Sequence, residues 1–559
     1  MKHVKLAFLA SLVALFSFFV VGCDDDDSPT TSGESTAALT CSIDLSEAFA
    51  NDFNITKVIF IVENESVSDS LELTISGTTA SGTISKLKPG SYEVTILAYV
   101  GTELVATATG TGEATTDQTV TVTVTITYVK GNLDIEITFP TTVDELKMVV
   151  FSDPHFYDAT LGTEGSDFEE YLASDRKLIV ESEPILREVV DAIKASDVDI
   201  VLVPGDLTKD GEMQCHSKFA SYMAELEADG KRVYVIPGNH DINNEYGAKG
   251  YTSSGSYSVP TITASNFTTI YYDYGYSEAI ARDENSLSYI AELSDDVWLL
   301  GIDACRYSES AADNNVTGGK ISDATMEWIK AELHEAKEQG KTVLGMMHHG
   351  ILEHYTGQTD LFSEYVVEDW QTVYKTFADS GLKVVFTGHF HSNDIVKGTG
   401  SSSDAFVFDI ETGSTVTYPC PYRMVTLSSN ALLQIETRHV TDPDVNYSGV
   451  SFVDSAKTYL SEGLYTLALG MLVQNFGLTA DAAQTPATLL AEAFMAHYAG
   501  DEDISNMSAT NYYILENVLR PSTDATTQVL VSVLDALWTD NAPLDNNITI
   551  NLNTGAVVE

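Results

Sequence analysis

The sequence predicts a central α/β domain between an N-terminal β-sandwich and a helical C-terminal region. In the central part, short apolar runs alternate with stretches whose apolar residues recur at helical spacing. Before this part, apolar and polar residues alternate with period two, as in half-buried strands; after it, the spacing is helical again. A length of 559 residues with 44% apolar content is enough for two to four folded domains.

The first 22 residues have the pattern of a secretory signal. Lys2 and Lys5 precede an apolar run over residues 6–21, which is too short for an ordinary membrane-spanning helix. The run ends in Val20-Val21-Gly22-Cys23, which resembles a bacterial lipobox. We therefore expect a signal peptide over 1–22, a lipid on Cys23 and a membrane-anchored location in the bacterial cell envelope, on its periplasmic or surface face. An uncleaved anchor or an ordinary signal peptide is the alternative.

Residues 23–38 are predicted to form a flexible tether. Residues 24–27 are all Asp, and a stretch rich in Ser, Thr and Gly follows them. The acidic run is either a solvated spacer or an export signal similar to the acidic tags of surface lipoproteins in the Bacteroidetes.

Residues 39–140 are predicted to form an immunoglobulin-like or similar β-sandwich. The alternation is clearest over residues 91–98 and 120–128, and Lys88-Pro89-Gly90-Ser91 predicts a turn before the first of these strands. The segment has no catalytic constellation. It is interpreted as a spacer that holds the rest of the protein away from the membrane, with binding of carbohydrate or protein as the alternative.

Five apolar runs in the central part each end in His, Asp or Asn. The runs are residues 148–151, 200–203, 233–236, 343–347 and 384–386. The polar groups after them are Asp153-Pro154-His155, Gly205-Asp206, Gly238-Asn239-His240-Asp241, His348-His349 and Gly388-His389-Phe390-His391. Because strand ends of this kind meet at one edge of a sheet, we expect these side chains in one pocket.

This order of motifs resembles the calcineurin-like metallophosphoesterase superfamily over residues 146–440, and no motif is missing. The resemblance implies two mixed β-sheets packed face to face, flanked by helices, and a phosphoric ester hydrolase. Residues 205–212 and 238–244 further resemble an extracytoplasmic bacterial branch that includes cyclic-nucleotide phosphodiesterases. A phosphodiesterase is therefore favoured over a phosphomonoesterase or nucleotide pyrophosphatase. A surface lipoprotein that only binds its ligand is the hypothesis from a different class, and lost motif residues would have favoured it.

The resemblance also implies a dinuclear metal centre with a hydroxide between the ions as the nucleophile. One ion would be held by Asp153, His155, Asp206 and His391, and the other by Asp206, Asn239, His348 and His389. The family pattern selects His348 over His349, although Gly350 replaces the Pro that is frequent there. Fe, Mn and Zn all accept mixed sites of His, Asp and Asn, so the metal identity stays open.

His240 is not an expected ligand. By the resemblance it would give a proton or hydrogen bond to the leaving-group oxygen, with Asp241 orienting its imidazole. A long insertion over residues 242–341 is expected to help wall the pocket. Its tyrosines Tyr271, Tyr272, Tyr274 and Tyr276 are candidates to contact a planar substrate group, with ordinary surface packing as the alternative.

The overall charge limits the partners. With 29 Lys and Arg against 82 Asp and Glu, the formal net charge is -53. Such a surface repels nucleic acid, whereas two cations in the pocket would reverse the local potential and admit a small phosphate ester. The oligomeric state is left open. Residues 441–559 are predicted to be mostly helical and to pack on the catalytic domain, with Pro486 and Pro521 punctuating the helices.

Overall fold

The computed structural model describes residues 37–51, 53–64, 67–88, 90–114, 119–129, 132–138, 145–402, 404–447, 449–474 and 476–558. The chain divides into two compact units, Met1–Thr142 and Val143–Glu559. The predicted signal peptide, Cys23 and most of the tether lie outside the described residues. Within the described ranges, no helix combines the length and apolar character needed to cross a membrane.

The first unit is strand-rich, as the alternation predicts. Its strands are β1 (Ala37–Asp44), β2 (Lys57–Glu63), β3 (Ser68–Glu72), β4 (Thr74–Ser76), β5 (Thr79–Leu87), β6 (Gly90–Val100), β7 (Glu103–Ala114), β8 (Thr119–Val129) and β9 (Asn132–Thr138), with a short helix α1 (Ser46–Ala50). They form two sheets with the orders β4-β5-β1-β8-β9 and β3-β2-β6-β7. Alternate residues of β2, namely Val58, Phe60 and Val62, are buried in a core to which both sheets contribute. The predicted N-terminal β-sandwich is confirmed.

The second unit contains two seven-stranded mixed sheets and one separate hairpin. Its strands are β10 (Leu146–Val150), β11 (Ile200–Val203), β12 (Arg232–Val235), β13 (Lys249–Thr252), β14 (Gly255–Ser258), β15 (Ala279–Arg282), β16 (Tyr289–Ser294), β17 (Val297–Ile302), β18 (Thr342–Met347), β19 (Val384–Thr387), β20 (Asp394–Thr399), β21 (Phe406–Glu411), β22 (Pro421–Leu427), β23 (Leu432–His439), β24 (Asn547–Asn551) and β25 (Ala556–Val558). The sheet orders are β12-β11-β10-β22-β23-β24-β25 and β15-β16-β17-β18-β19-β21-β20.

The motif-bearing strands are parallel neighbours within their sheets. In the first sheet β10, β11 and β12 run parallel, with Val149 opposite Val201 and Val201 opposite Val233. In the second sheet β18 runs parallel to β17 and β19. Residues of both sheets share one apolar core, and every residue of β11 and β19 is buried, which explains why these strands are continuous apolar runs rather than alternating ones.

Helices connect the strands and cover the sheets. In the second unit they are α2 (Ser166–Ser174), α3 (Ser182–Lys194), α4 (Met213–Ala228), α5 (Ala264–Ile270), α6 (Asp323–Glu338), α7 (Gln358–Leu361), α8 (Trp370–Ser380), α9 (Phe452–Gln474), α10 (Ala480–Ala499), α11 (Ala509–Ile514) and α12 (Ala525–Leu537). The helical stripe on α3 is buried as its spacing predicts, through Ile185, Val189 and Ile193. The predicted architecture of two mixed sheets flanked by helices is confirmed.

The C-terminal region is helical, as predicted, and it also completes the first sheet. After helices α9 to α12, strand β24 pairs antiparallel with β23, with Leu433 opposite Ile550, and β25 pairs with β24. The last strands of the chain therefore extend the sheet that begins with β10, β11 and β12. The short alternation of Ile548, Ile550 and Leu552 is the sequence signal of this pairing.

Candidate metal centre

The five motifs meet at the carboxyl ends of β10, β11, β12, β18 and β19. These ends present Asp153, His155, Asp206, Asn239, His240, His348, His389 and His391. The backbone of the loops is adapted to present these side chains. Asp153, Asp206 and His391 have φ values of 50°, 48° and 70°, in the left-handed region that side chains rarely adopt. Such strain clusters where the surrounding structure fixes functional side chains.

The first group of side chains consists of Asp153, His155 and His391. The Nε2 atoms of the two histidines lie 3.1 Å apart, and Nε2 of His391 lies 3.4 Å from Oδ1 of Asp153. Oδ1 of Asp153 is buried without a hydrogen-bond partner. Gly388 allows this approach, because a Cβ at that position would overlap the Asp153 carboxylate.

The second group consists of Asp206, His348 and His389. Nε2 of His348 lies 3.4 Å from Oδ2 of Asp206 and 3.1 Å from Oδ1 of Asn239. The same Oδ2 of Asp206 lies 3.6 Å from Nε2 of His155 in the first group. Asp206 thus lies between the two groups, where its carboxylate would be within reach of an ion held by either.

Outer hydrogen bonds leave a lone pair for a metal on His348 and on His389. Nδ1 of His348 donates to the carbonyl of Pro204 at 2.9 Å, and Nε2 of His389 donates to the carbonyl of Glu364 at 3.2 Å, so the opposite ring nitrogens carry the lone pairs. Burial lowers the pKa of His155, His389 and His391, which keeps these rings neutral. The donor set of imidazole, carboxylate and amide oxygen fits two divalent or trivalent cations.

His240 lies beside the two groups. Its Nε2 is 3.9 Å from Oδ2 of Asp206, and its side chain is partly exposed to the cleft. Its Nδ1 donates to Oδ1 of Asp210 at 2.8 Å. Burial alone lowers the pKa of His240, but the Asp206 and Asp210 carboxylates outweigh burial and raise it.

Asp210 therefore has the role that was expected of Asp241, and the prediction that Asp241 orients His240 is wrong. The Asp241 carboxylate accepts hydrogen bonds from the backbone N–H groups of Leu207, Thr208 and Gly238 and from the Thr208 hydroxyl, at 2.9 to 3.1 Å. It joins the loops after β11 and β12. Asp241 directly follows His240 in the chain, but its carboxylate is surrounded by these loop donors and does not contact the imidazole.

A buried cation supports Asp210. The Nζ of Lys209 contacts the Asp210 carboxylate, lies 3.5 Å from Oε1 of Glu212 and is 4.4 Å from the centre of the Tyr171 ring. This charge holds the pKa of Asp210 well below its usual range despite burial. Asn244 also donates to Oδ1 of Asp210, at 3.2 Å. The stretches 205–212 and 238–244 thus meet in the structure to hold one imidazole.

The groups open on a cleft of about 160 Å³. It is lined by His155, Asp175, Arg176, Lys177, Asp206, Asn239, His240, Thr317, Glu364, Tyr365, His389, Phe390 and His391. Sequence reasoning missed Arg176 and Lys177, which follow α2 in a polar segment without periodicity. From the insertion over residues 242–341, Thr317 alone appears in this lining.

The predicted tyrosine wall is wrong. Tyr271, Tyr274 and Tyr276 are buried in the core, and the Tyr271 hydroxyl lies 2.8 Å from Nδ1 of His216. Tyr272 is exposed, but it does not line the cleft. The aromatic side chains at the cleft are Tyr365 and Phe390 instead.

His348 and His349 have different surroundings in the structure. Nε2 of His349 donates to the carbonyl of Thr317 at 2.8 Å, and burial lowers its pKa to about 3, so this ring is a neutral structural group while His348 faces Asp206. Arg423 is fully buried and donates to the backbone carbonyls of Asp545 and Glu411, so it does not reach the cleft.

Comparison with known proteins gives one family match and several similar structures. A model of the calcineurin-like phosphoesterase family matches residues 146–393. A crystal structure of a dimetal phosphatase from Danio rerio is similar at 16% identity, over 53% of this chain and 96% of that chain, with a TM-score of 0.39. A purple acid phosphatase from seeds of yellow lupin, Lupinus luteus, is similar at 11% identity, over 71% of this chain and 69% of that chain, with a TM-score of 0.34. No curated protein matches the chain.

The family match spans the five motifs from β10 to the loop after β19. The side chains of those motifs form overlapping groups that could hold metal ions, and Asp206 lies between His155 and His348. Residues 146–393 therefore match the calcineurin-like phosphoesterase family, and the side chains in this range form a candidate site for a metal-dependent hydrolytic enzyme.

Proposed function

We propose that this protein hydrolyses a small phosphodiester in the cleft beside Asp206. The observation that carries the proposal is the position of His240. Its Nε2 lies 3.9 Å from the carboxylate shared by both ligand groups, and Asp210 fixes its other nitrogen. A proton donor is thereby held next to the place where a phosphate ester would meet the metals.

The chain's own residues have separable roles in this reaction. Asp153, His155, Asp206 and His391 would hold one ion, and Asp206, Asn239, His348 and His389 the other. When bound, the ions supply a nucleophile from water at neutral pH and positive charge facing the phosphate oxygens. His240, charged and hydrogen-bonded to Asp210, would donate its Nε2 proton to the leaving-group oxygen. Asn239 offers a neutral oxygen, which adds no negative charge near the substrate.

The preference for a diester is supported by two stretches of sequence, 205–212 and 238–244, which resemble a branch that includes phosphodiesterases. In the structure they contribute Asp210, which is hydrogen-bonded to His240, and Asn244, which is hydrogen-bonded to Asp210. A small substrate is favoured because the cleft measures about 160 Å³ and the net charge of -53 repels long polyanions.

A phosphomonoester or a nucleotide pyrophosphate is the second candidate, and Lys177 is the observation that favours it. Its Nζ lies 3.4 Å from Oδ2 of Asp175, and its charge contributes, after burial, to the lowered pKa of His155. Arg176 lies next to it, hydrogen-bonded to Tyr498 and Tyr365. Two cations beside the metal groups would suit a substrate with more than one negative charge.

The test is kcat/KM for a cyclic nucleotide, an aryl phosphodiester, the matching aryl monoester, a nucleoside diphosphate and a single-stranded oligonucleotide, all with Mn²⁺ at one salt concentration. We expect at least tenfold higher values for one of the small diesters. A tenfold preference for the monoester or the diphosphate would select the second candidate. Efficient cutting of the oligonucleotide would contradict the proposed small substrate. Absence of hydrolysis in a fully metal-loaded protein would favour a binding module.

We also propose that a lipid on Cys23 anchors the enzyme in the bacterial cell envelope. The support is the sequence alone, since Lys2, Lys5 and the apolar run before Cys23 have the pattern of a lipoprotein signal. Cys23→Ser should release the protein from the membrane fraction with its activity intact. Unchanged fractionation, with no lipid on the purified wild-type protein, would rule this anchor out.

A further inference from the structure

A second cluster of buried titratable side chains lies apart from the cleft, where the C-terminal helices meet the second sheet. Asp394 begins β20, His497 lies in the last turn of α10, and Glu502 follows that helix. Their exposed fractions are 2%, 1% and 4%. The hydrolytic mechanism uses none of these residues, yet burying them together has a large electrostatic cost unless a counter-charge is present.

The three side chains present ligand atoms to one point. Nδ1 of His497 is hydrogen-bonded to Oε1 of Glu502 at 2.5 Å and lies 3.5 Å from Oδ2 of Asp394, and one ligand atom from each residue lies within 4.8 Å of the others. Two ligand atoms bound to one zinc ion at about 2.0 Å in a tetrahedral arrangement are about 3.3 Å apart. Small side-chain shifts would therefore bring these atoms into one coordination sphere.

The cluster has more carboxylates than nearby cations. The Asp545 carboxyl is hydrogen-bonded to Glu502, and Oε2 of Glu411 lies 3.3 Å from Nε2 of His354. Arg423 is close, but the groups it bonds are backbone carbonyls and the Thr437 hydroxyl rather than these carboxylates. Two carboxyl groups in direct contact share either a proton or a cation, because two adjacent negative charges repel each other.

Unpaired atoms are an independent observation that points to a ligand. Oδ1 of Asp394 and Oε2 of Glu502 are buried without a hydrogen-bond partner, and so is Nε2 of His497. Oδ1 of Asp394 lies 3.2 Å from Nδ1 of His354, so His354 pairs with one oxygen of that carboxylate while the other faces His497.

We propose that Asp394, His497 and Glu502 bind a third metal ion, separate from the dinuclear centre. One imidazole and two carboxylates form the mixed nitrogen and oxygen set that divalent transition ions such as Zn²⁺ or Mn²⁺ accept. The Asp545 carboxyl, in contact with Glu502, is available as a further ligand.

The ion would join the C-terminal helices to the loop that carries two residues of the metal centre. Asp394 is three residues after His391 in the chain. The intervening Ser392 donates from its backbone N–H and its hydroxyl to Oε1 of Glu411, each at 3.0 Å. Fixing Asp394 to His497 and Glu502 therefore restrains the end of the loop 388–393, and the third ion acts as a structural support for that loop.

The test uses the full-length protein with Asp206→Ala and His391→Ala together, a background that removes ligands from both proposed ions of the dinuclear centre. The background protein is stripped with EDTA, dialysed against Zn²⁺ and analysed for metal content, and its Tm is measured with and without Zn²⁺. We expect about one Zn²⁺ per chain and a Tm that Zn²⁺ raises by several degrees. Because the background does not depend on hydrolysis, the outcome is distinct from that of the proposed function.

Glu502→Gln and Asp394→Asn are then added separately to the background. Each should lose the bound Zn²⁺ and the Zn²⁺-dependent rise in Tm, whereas Asp481→Asn, an exposed acidic residue on the same helix α10, should keep both. If the carboxyl groups share protons instead, Gln mimics a neutral Glu502, and Tm should be unchanged or higher and independent of Zn²⁺. That result, or a background protein that binds no Zn²⁺, would overturn the proposal.

Discussion

Oδ1 of Asp210 lies 2.8 Å from Nδ1 of His240, and this contact fixes the imidazole whose other nitrogen faces the shared carboxylate of Asp206. The two residues are 30 positions apart in the chain. Lys209, which is fully buried, keeps Asp210 ionised, so a negative charge is always available to the imidazole. A carboxylate in this place both orients the ring and stabilises its protonated form.

Asp210→Asn should lower kcat while leaving the metal content at the wild-type level. The amide has the shape of the carboxylate but no charge, so His240 is oriented less well and holds its proton less tightly. We expect a loss of roughly 10- to 10²-fold, at the lower end of what a positioned proton donor contributes. The measurement is kcat against the pKa of the leaving group. A positioning role requires a larger loss for poor leaving groups, and a uniform loss would contradict it.

Asp241→Asn should act on stability rather than on the leaving-group dependence. Its carboxylate accepts four hydrogen bonds from the loops after β11 and β12. An amide nitrogen in place of one oxygen would leave backbone donors unpaired, at a cost of about 1–3 kcal/mol for each. Thermal or denaturant unfolding of the two Asn variants checks the contrast. A stable Asp241→Asn with the kinetic defect expected of Asp210→Asn would reverse the assignment.

His240→Ala should retain metal and lose kcat, because the ring is next to the ligand groups without belonging to either proposed ligand set. Loss of proton donation predicts a decrease of roughly 10²- to 10⁴-fold for esters with poor leaving groups. Nitrophenolate needs little protonation, so nitrophenyl esters should lose much less. Equal losses for both kinds of ester would count against a proton donor, and loss of metal would make His240 a ligand.

Asp206→Ala should abolish activity and reduce the bound metal of the dinuclear centre from two ions to one or none. Oδ2 of Asp206 lies within 3.6 Å of His155 in one group and of His348 in the other, so both ions lose a ligand. The metal content of this variant is compared with the result of the third-ion experiment, because an ion bound by Asp394, His497 and Glu502 would remain in Asp206→Ala. Wild-type metal content with wild-type rate would end the dinuclear proposal.

The sequence predicts which motif residues meet because each follows a buried strand. Apolar runs identify β10, β11, β12, β18 and β19, and parallel neighbours in a sheet place their carboxyl ends at one edge. A residue such as His391 is then assigned to the pocket without any knowledge of the loops. Its neighbours in space are expected to be the other residues that follow buried strands, because the alternation of strands and helices predicts parallel strands.

The sequence does not predict contacts that depend on loop conformation. Asp241 is adjacent to His240 in the chain, yet the loop turns its carboxylate onto the backbone at Leu207, and Asp210 reaches the ring from another loop. The prediction that the tyrosines of residues 271–276 wall the cleft is wrong for a different reason. A Tyr-rich polar segment indicates a surface, but Tyr271 finds a buried partner in His216 and joins the core.

Lys177→Gln is the variant that separates substrate recognition from chemistry. Lys177 lines the cleft without belonging to either ligand group, and its Nζ is balanced by Asp175 at 3.4 Å. If the side chain contacts a second anionic group, its removal should raise KM for nucleoside diphosphates and aryl monoesters by roughly tenfold, the equivalent of one charge-assisted hydrogen bond of about 1.5 kcal/mol. KM for a monoanionic diester should change by less than threefold, and kcat should be nearly constant.

The matched control for this variant is Lys330→Gln, which removes the same charge from an exposed position on α6. Because surface charge alone affects the association of anions, both variants are measured at low and at physiological salt. A KM increase common to Lys330→Gln and Lys177→Gln would mean that net charge, rather than a contact in the cleft, is responsible. A KM increase for the diester as large as that for the diphosphate would show that Lys177 contacts the phosphate that is cleaved.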